Sequence, residues 1–286
     1  MPRKTFQHTV PFLPDVESPT MRNTLNTAVR LTVLATAVLG ATFAYAATVT
    51  PGQFKVGMEI TYPPFESYDE KKNVVGSDPD LSRLLAKHMD LKAEFVDTKF
   101  SSLILSLNAG HYDAIISGMY ITPERQTQAQ TIAYAKTGAA IMVLKDSPLK
   151  PKVPEDLCGL KVGLEKGTTW VAQFNKLSTD YCVPNNKGAI SVSEFPSAPE
   201  VTQALLSGNV QAQVEIDGAA GMIAERTKGR VVVSTEHSIY QQTLGIYVKK
   251  GNDELYQALL KAFDETKKSG EYAALLKKYN LEEPSN

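Results

Sequence analysis

Residues 113–126 read DAIISGMYITPERQ, an apolar strand that ends in small residues and passes through a turn into a helix. Thr122 can cap that helix, and Pro123 suits its first position. Backbone amides at a helix start, together with the forked guanidinium of Arg125, suit a carboxylate. Taken alone, however, Arg125 is more simply explained as a solvated residue of the first helical turn. The segment predicts a strand–turn–helix unit of an α/β fold and offers one candidate anion site.

Strands and helices alternate on both sides of this segment, which is typical of an α/β fold with a mainly parallel sheet. A second α/β run begins after the polar, proline-containing residues 145–154, so two lobes are predicted. The last two helices carry apolar faces with which the tail could return to the first lobe. The predicted strands lie at 54–60, 93–96, 113–117, 161–164, 190–195, 211–215 and 244–248, and the predicted helices at 79–89, 101–107, 170–177, 198–206, 253–268 and 270–279.

The composition is that of an ordinary globular chain: 286 residues, 43% hydrophobic and 21% charged, with a formal charge of −1. It excludes collagen-like, disordered and strongly basic nucleic-acid-binding chains, because each of those needs a bias that is absent here. There is no GxSxG, GxxxxGK[ST] or GxGxxG motif. The sequence therefore lacks the loop motifs that support a hydrolase or a nucleotide-binding function. His88, His111 and His237 have no ligand-like spacing, so we predict neither a metal nor another cofactor.

The first 46 residues have the features of a secretory leader. Residues 21–46 place Arg22 and Arg30 ahead of an apolar run and end in small residues, which predicts a signal peptide cleaved after Ala46. The alternative is an uncleaved membrane anchor, but the apolar run is shorter than the roughly 20 residues of a spanning helix. Residues 1–20 precede a second good start at Met21, which suggests that the true start codon is the later one. Because no cysteine lies near the cleavage region, we expect a periplasmic protein without a lipid anchor.

Cys158 and Cys182 are the two cysteines of the chain. In an oxidising periplasm they can pair, so we predict one disulfide. In the chain-entropy model, closing that loop stabilises the fold by about 3.5 kcal/mol. The alternative is two buried thiols.

Several motifs together resemble the bacterial extracellular solute-binding proteins of family 3, the polar amino acid receptors of ABC importers. Within residues 56–145 they are VGMEITYPPFE, GSDPDLSRLLAKHM and EFVDTKFSSLILSLNAGHYDAIISGMYITPER. The similarity continues with DLCGLKVGLEKGTT, LGIYVKKGND and SGEYAALLKKYNLEE, so it covers essentially the whole chain after the leader. The order of residues in SGMYITPER is highly specific, and it favours a ligand-binding role for Arg125.

The resemblance implies an α/β, two-lobed periplasmic binding protein of type II, a Venus-flytrap that closes around a small ligand. Two hinge crossings are expected, near residues 139–144 and 239–244. On this view, lobe 1 comprises residues 47–139 and the returning residues 242–286, and lobe 2 comprises residues 140–241 with the hinge strands.

The resemblance also implies a role for individual residues of the cleft. Arg125 is expected to hold the α-carboxylate of the ligand, and other side chains line a pocket with aromatic walls and a charged end. The α-carboxylate contacts are expected from Gly118 and Tyr120 in lobe 1 and from Thr168 and Thr169 in lobe 2, the side-chain pocket from Tyr62, Phe100 and Glu59, and further ligand contacts from Ser117 and Glu165.

Two departures from the family pattern affect this site. The family usually has Ser or Thr where Tyr120 stands, so a bulky phenol occupies a ligand-contact position. The family's aspartate for the α-ammonium group falls, counted from Gly208, on Ile216, with Glu215 and Asp217 on either side. A one-residue shift turns a strand side chain to the other face, so either the local register differs or the contact has moved. We favour Asp217 as the replacement.

Glu59 and Glu165, with Asp217 or Glu215, make the expected cleft rich in carboxylates. Unpaired like charges are expensive in a closed cleft, so the ligand is expected to be a polar or basic amino acid rather than an acidic one. If the ammonium contact is lost, the ligand is instead a carboxylate without an α-amino group.

The leading functional hypothesis is a monomeric receptor that captures an amino acid and presents it to an ABC permease in the inner membrane, without enzymatic activity. One alternative is a cyclohexadienyl dehydratase-like enzyme on the same scaffold. That role needs a carboxylate two positions beyond Asp217, and Ala219 stands there. A sensory ligand-binding module is the other alternative.

Overall fold

The structure is a computed structural model that describes residues 47–284, so the predicted signal peptide of residues 1–46 lies outside the described part. The strands are β1 (Gln53–Met58), β2 (Ser67–Tyr68), β3 (Val74–Val75), β4 (Lys92–Asp97), β5 (Ala114–Ile115), β6 (Ala129–Leu144), β7 (Lys161–Glu165), β8 (Ser191–Phe195), β9 (Ala212–Ile216), β10 (Val231–Val233) and β11 (Ile239–Lys249). The helices are α1 (Ser77–His88), α2 (Leu103–Asn108), α3 (Pro123–Gln128), α4 (Thr169–Leu177), α5 (Ala198–Leu206), α6 (Asp217–Arg226), α7 (Asp253–Lys268) and α8 (Glu271–Tyr279).

One mixed sheet runs through the fold in the order β4-β1-β5-β11-β6-β9-β7-β8, with β10 also paired to β6. At one end β4, β1 and β5 are parallel, and at the other end β9, β7 and β8 are parallel. Between these two halves, the long strands β6 and β11 pair antiparallel with each other and with their neighbours. The α/β fold predicted from the alternating segments is therefore confirmed, with two parallel halves joined by two central strands.

The two predicted hinge segments lie in these central strands. Residues 139–144 form the end of β6, and residues 239–244 form the beginning of β11. β6 pairs with β11 along most of its length and with β9 over residues 139–142, so it passes from one half to the other. The lobe boundaries remain a prediction.

The core forms where apolar side chains of the strands meet the inner faces of the helices. Phe54, Val56 and Met58 alternate along β1 and are fully buried, as are Leu81 and Leu85 on α1. The tail lies against the same elements, because β11 pairs with β5 and both α7 and α8 contact α1. At roughly 25 cal/mol per Å² of buried apolar surface, these contacts are the main source of stability.

One predicted strand is shorter than expected. The sequence predicts a strand over residues 113–117, but β5 covers Ala114–Ile115. The chain leaves the extended path at Gly118, where φ is +51°, a conformation that favours glycine. The N–H of Gly118 donates to the buried carboxylate of Asp78 at 2.7 Å, which fixes the turn.

The predicted disulfide is present between Cys158 and Cys182, whose Cα atoms are 5.4 Å apart. It joins the turn before β7 to the residues that follow α4, so it ties together two neighbouring elements of one half. Among residues 47–284, none of the helices has the length and apolar character needed to cross a membrane.

Candidate functional site

The site lies where strands from both halves of the sheet end. β1 is followed by Glu59, β5 by Gly118, β7 ends with Glu165 and β9 ends with Ile216. These ends surround a small cavity. Nine of the eleven predicted ligand-binding residues line it, and Ser117 and Asp217 do not. The lining residues are Glu59, Tyr62, Glu66, Phe100, Gly118, Tyr120, Arg125, Glu165, Thr168, Thr169, Trp170 and Ile216.

The cavity is nearly closed. Its free volume is about 20 Å³, which is room for about one water molecule. A ligand of several non-hydrogen atoms can therefore enter only when the two halves of the sheet separate.

Arg125 supplies the positive charge at one end of the cavity. Its position follows from the local sequence, because the Thr122 hydroxyl accepts from the Arg125 backbone N–H at 3.1 Å and Pro123 begins α3, as predicted. Its side chain is 9% exposed and donates to the Tyr120 carbonyl at 2.7 Å and to the Gly167 carbonyl at 2.9 Å. Burial lowers the pKa of Arg125 from its usual value, but Tyr247 opposes this shift, and the guanidinium stays cationic.

The guanidinium also faces an aromatic ring. It lies 5.6 Å from the centroid of Phe100, within the range of a cation–π contact. Gly167 belongs to the turn between β7 and α4, so the Arg125 hydrogen bond to its carbonyl joins the two halves of the sheet.

Two buried carboxyls from opposite halves meet in the cavity. Glu59 is 4% exposed and Glu165 is 5% exposed. The Oε2 atom of Glu59 accepts from the Phe100 N–H at 3.1 Å, whereas the Oε1 atoms of Glu59 and Glu165 have no donor among the described residues. Both carboxyls line the same cavity. Burial, reinforced by the neighbouring carboxyl of Glu59, raises the pKa of Glu165 well above its usual range.

Tyr62 joins the halves at a second point. Its hydroxyl donates to Glu215 Oε2 at 2.7 Å and accepts from the Ile216 N–H at 3.1 Å. Burial raises the pKa of Glu215 to about 7, although hydrogen bonds from Gln213 and Tyr62 oppose the shift. We call the Tyr62–Glu215–Ile216 contact the clasp. Its carboxyl changes charge near neutral pH.

The predicted anchors Ser117 and Gly118 are already bonded inside the protein. The Ser117 hydroxyl donates to Glu66 Oε1 at 2.6 Å, and the Gly118 N–H donates to Asp78. The Tyr134 hydroxyl donates to the same Asp78 carboxylate at 2.9 Å. Burial raises the pKa of Asp78 to about 6 and that of Glu66 well above its usual value. Gly118 still lines the cavity, whereas Ser117 does not line it and donates to Glu66 of this buried acidic network.

Aromatic side chains form the wall beside Arg125. The Tyr120 ring packs edge-to-face against Trp170 at 6.1 Å, and its hydroxyl donates to the Gly138 carbonyl at 3.2 Å. Thr168 donates to the Glu165 carbonyl at 2.8 Å and so shapes the turn before α4. The Thr169 hydroxyl and the Trp170 indole N–H are buried without a partner among the described residues. These two groups can hydrogen-bond a ligand.

Asp217 does not line this cavity, so its predicted contact with an ammonium group has no support from the lining residues and stays a prediction. Its carboxylate accepts from the Ser238 hydroxyl, and it lines a separate cavity of about 280 Å³ beside the central strands. Ile216 lines the main cavity instead. The position counted from Gly208 therefore faces the cleft in the expected register but carries an apolar side chain.

Glu66 and Trp170 line the cavity, although the sequence analysis did not select them. Glu66 closes the VGMEITYPPFE motif, and Trp170 follows the two threonines, so proximity to the motifs was the available signal. Within residues 47–284, no three or more His, Cys, Asp or Glu side chains are grouped so that they could hold a metal ion.

These features define a ligand-binding cleft between two α/β halves, with a cationic anchor and an acidic pair. The matching family is described as bacterial extracellular solute-binding proteins, family 3, and it covers residues 54–282. The chain belongs to this family.

Similar proteins include ABC transporter arginine-binding protein 1 of Escherichia coli (strain K12), 41% identical over 48% of this chain and 55% of that protein. The match thus spans about half the length of that relative. Putative ABC transporter arginine-binding protein 2 of the same strain is 30% identical over 81% of this chain and 92% of its own length. A solved structure of an ancestral arginine-binding protein bound to arginine has a TM-score of 0.73 and 35% identity, with 80% of this chain and 98% of that chain covered.

Proposed function

We propose that the chain is a periplasmic receptor that captures a polar or basic amino acid and delivers it to an ABC permease. One observation supports this proposal above all: Arg125 and the carboxyls of Glu59 and Glu165 line the same cavity between the two halves of the sheet. Such a cavity offers a partner for a carboxylate and a partner for a cation. The similar proteins named above are arginine-binding proteins, and they support the same ligand class.

Two contacts join the halves of the sheet across the cleft and hold it closed. Arg125 bonds the Gly167 carbonyl, and the clasp bonds Tyr62 to Glu215. A ligand held by groups of both halves gains its full interaction energy only in the closed state, so binding favours closure. The closed form is what we propose a permease recognises.

The charge of the cavity favours a ligand with a positive group. Glu59 and Glu165 present oxygens without donors, and Glu66 and Glu215 lie close behind them. An acidic ligand side chain would add another negative charge to this region, at a high cost in a buried site. A basic or neutral polar amino acid avoids that cost.

A second candidate ligand is a carboxylate without an α-amino group, because Ile216 is apolar and lines the cavity. Arg125 would still hold its carboxylate. For either ligand we propose binding without catalysis, since Ala219 stands where the dehydratase-like role needs a carboxylate.

A thermal-shift panel on residues 47–286 tests the proposal, with the standard amino acids, simple polyamines and small dicarboxylates as ligands. A ligand at 100 times its Kd stabilises the folded state by about 2.7 kcal/mol, which raises the melting temperature measurably. We expect arginine, lysine, histidine or glutamine to give a shift. If no amino acid raises the melting temperature and an acid without the amino group does, the second candidate is supported. If no compound of the panel raises it, the receptor function is contradicted.

A further inference from the structure

The acidic pair of Glu59 and Glu165 is surrounded by further carboxyls. Glu59 approaches from the end of β1, Glu215 from β9 and Glu66 from the segment before β2, and all three raise the pKa of Glu165 by their charge. Tyr62, the other titratable side chain that senses Glu165, is held neutral by burial. Both carboxyls are buried, line the same cavity and keep one oxygen without a donor, and two ionised carboxylates placed in this way would repel each other strongly.

The nearby cations do not neutralise the pair. Lys99 Nζ lies 3.7 Å from Glu59 Oε1, but the lysine side chain is 58% exposed and remains largely solvated. The Arg125 guanidinium already donates to the Tyr120 and Gly167 carbonyls. A proton held by the pair removes the repulsion between the two carboxyls without needing a cation.

We propose that Glu59 and Glu165 hold one proton between them in the ligand-free protein, and that a cationic group of the ligand takes the place of this proton. The inference rests on the proposed function and deepens it, because it specifies a cationic ligand and a proton exchange. The O–H bond of the carboxyl breaks, the proton passes to bulk water, and the two carboxylates then face the ligand cation. The net charge of the cavity is unchanged by the exchange.

The exchange links affinity to pH. Where the free protein holds the proton and the complex does not, each pH unit strengthens binding about tenfold. Between about pH 6 and pH 8, the affinity for a cationic ligand should therefore rise by up to about a hundredfold. A neutral ligand of the same shape displaces no proton from this pair, so its affinity should show only the pH dependence that Glu215, whose pKa is about 7, gives to both ligands.

L-arginine and L-citrulline are the probes, because they have the same size and α-groups but differ in the charge of the terminal group. Isothermal titration at pH 7 in two buffers of different ionisation enthalpy counts the protons released. We expect about one proton released on binding L-arginine and none with L-citrulline, which should bind much more weakly.

Glu165→Gln tests the origin of the proton, and Glu194→Gln is its matched control. Glu194 is exposed on the adjacent strand β8, where it pairs with Leu164, next to Glu165. Glu165→Gln should bind L-arginine without proton release, and its affinity should change between about pH 6 and pH 8 no more than the affinity of the unmodified protein for L-citrulline does, because this pair no longer exchanges a proton. Glu194→Gln should behave as the unmodified protein does.

Two results would overturn the inference. The first is binding of L-arginine with the same apparent enthalpy in both buffers, which means that no proton leaves. The second is failure of L-arginine and other cationic ligands to bind. If a neutral amino acid then stabilises the protein in the thermal-shift panel, the receptor function survives while the proton exchange does not.

Discussion

Tyr62→Phe removes a single hydroxyl that joins the two halves of the sheet through the clasp. In the structure this hydroxyl donates to Glu215 at 2.7 Å and accepts from the Ile216 N–H at 3.1 Å. A hydrogen bond to a charged group contributes about 1.5 to 3 kcal/mol, and the buried Ile216 N–H left without a partner costs about 1 kcal/mol more. We expect the free energy of unfolding to fall by about 2 to 4 kcal/mol at pH 8, where Glu215 is ionised.

The assay is urea unfolding of residues 47–286 at pH 8, with Tyr68→Phe as the control. Tyr68 is 50% exposed and lines no part of the main cavity, so its hydroxyl should contribute less than about 0.5 kcal/mol. A loss below about 0.5 kcal/mol for Tyr62→Phe, equal to that of the control, would show that the clasp does not stabilise the fold.

Three further predictions concern other parts of the fold. Replacing Cys158 and Cys182 together with serine should lower the free energy of unfolding by about 3.5 kcal/mol in the chain-entropy model, measured by urea unfolding; an unchanged midpoint would contradict this. Burial raises the pKa of Glu215 to about 7, above its value in the unfolded chain, so this group's stabilisation is present below about pH 4.5 and is lost as pH rises through 7. Stability should thus fall between about pH 5 and pH 8, and less so in Glu215→Gln; a parallel fall in that variant would exclude Glu215 as a contributor. Tyr120→Ser should lower stability by about 3 kcal/mol and admit larger ligands in a thermal-shift panel, and an unchanged ligand range would show that the phenol does not limit the cavity.

Local signals predicted seven of the eleven strands and most of the helices, whereas β2, β3, β6, β10 and α6 were not predicted. The observed helices α5 and α7 have the predicted bounds, because each has a clear start and a regular apolar face. Asn252 accepts from the Leu255 N–H at the start of α7, as expected of a capping side chain. The helix start at Thr122 and Pro123 was likewise readable from the sequence.

The motifs located most of the cavity, but they did not give its internal contacts. Nine predicted residues converge because the parallel strands of both halves end at the same place. The clasp joins residues more than 150 positions apart, so no local signal could reveal it. The same holds for the Ser117–Glu66 bond, which diverts a predicted ligand contact into a buried network.

Asp217 lies outside the cavity lining for a geometric reason. Two neighbouring residues at a strand end point to opposite faces, so the choice between them depends on the residue at which the strand ends. β9 ends at Ile216 and α6 begins at Asp217, and the Asp217 carboxylate accepts from Ser238 beside the central strands. Ile216, the position counted from Gly208, lines the cavity, and an ammonium-binding role of Asp217 stays a prediction.

Titration of the mature protein and of Arg125→Ala with the ligand found in the panel tests the central claim most directly. Arg83→Ala is the control, because Arg83 lies exposed on α1 and lines none of the cavity. Arg125→Ala should remain folded by circular dichroism and lose ligand affinity by at least about tenfold, the equivalent of a charge-assisted hydrogen-bonded pair, while Arg83→Ala binds normally. Unchanged affinity in folded Arg125→Ala would contradict the claim that this guanidinium holds the ligand.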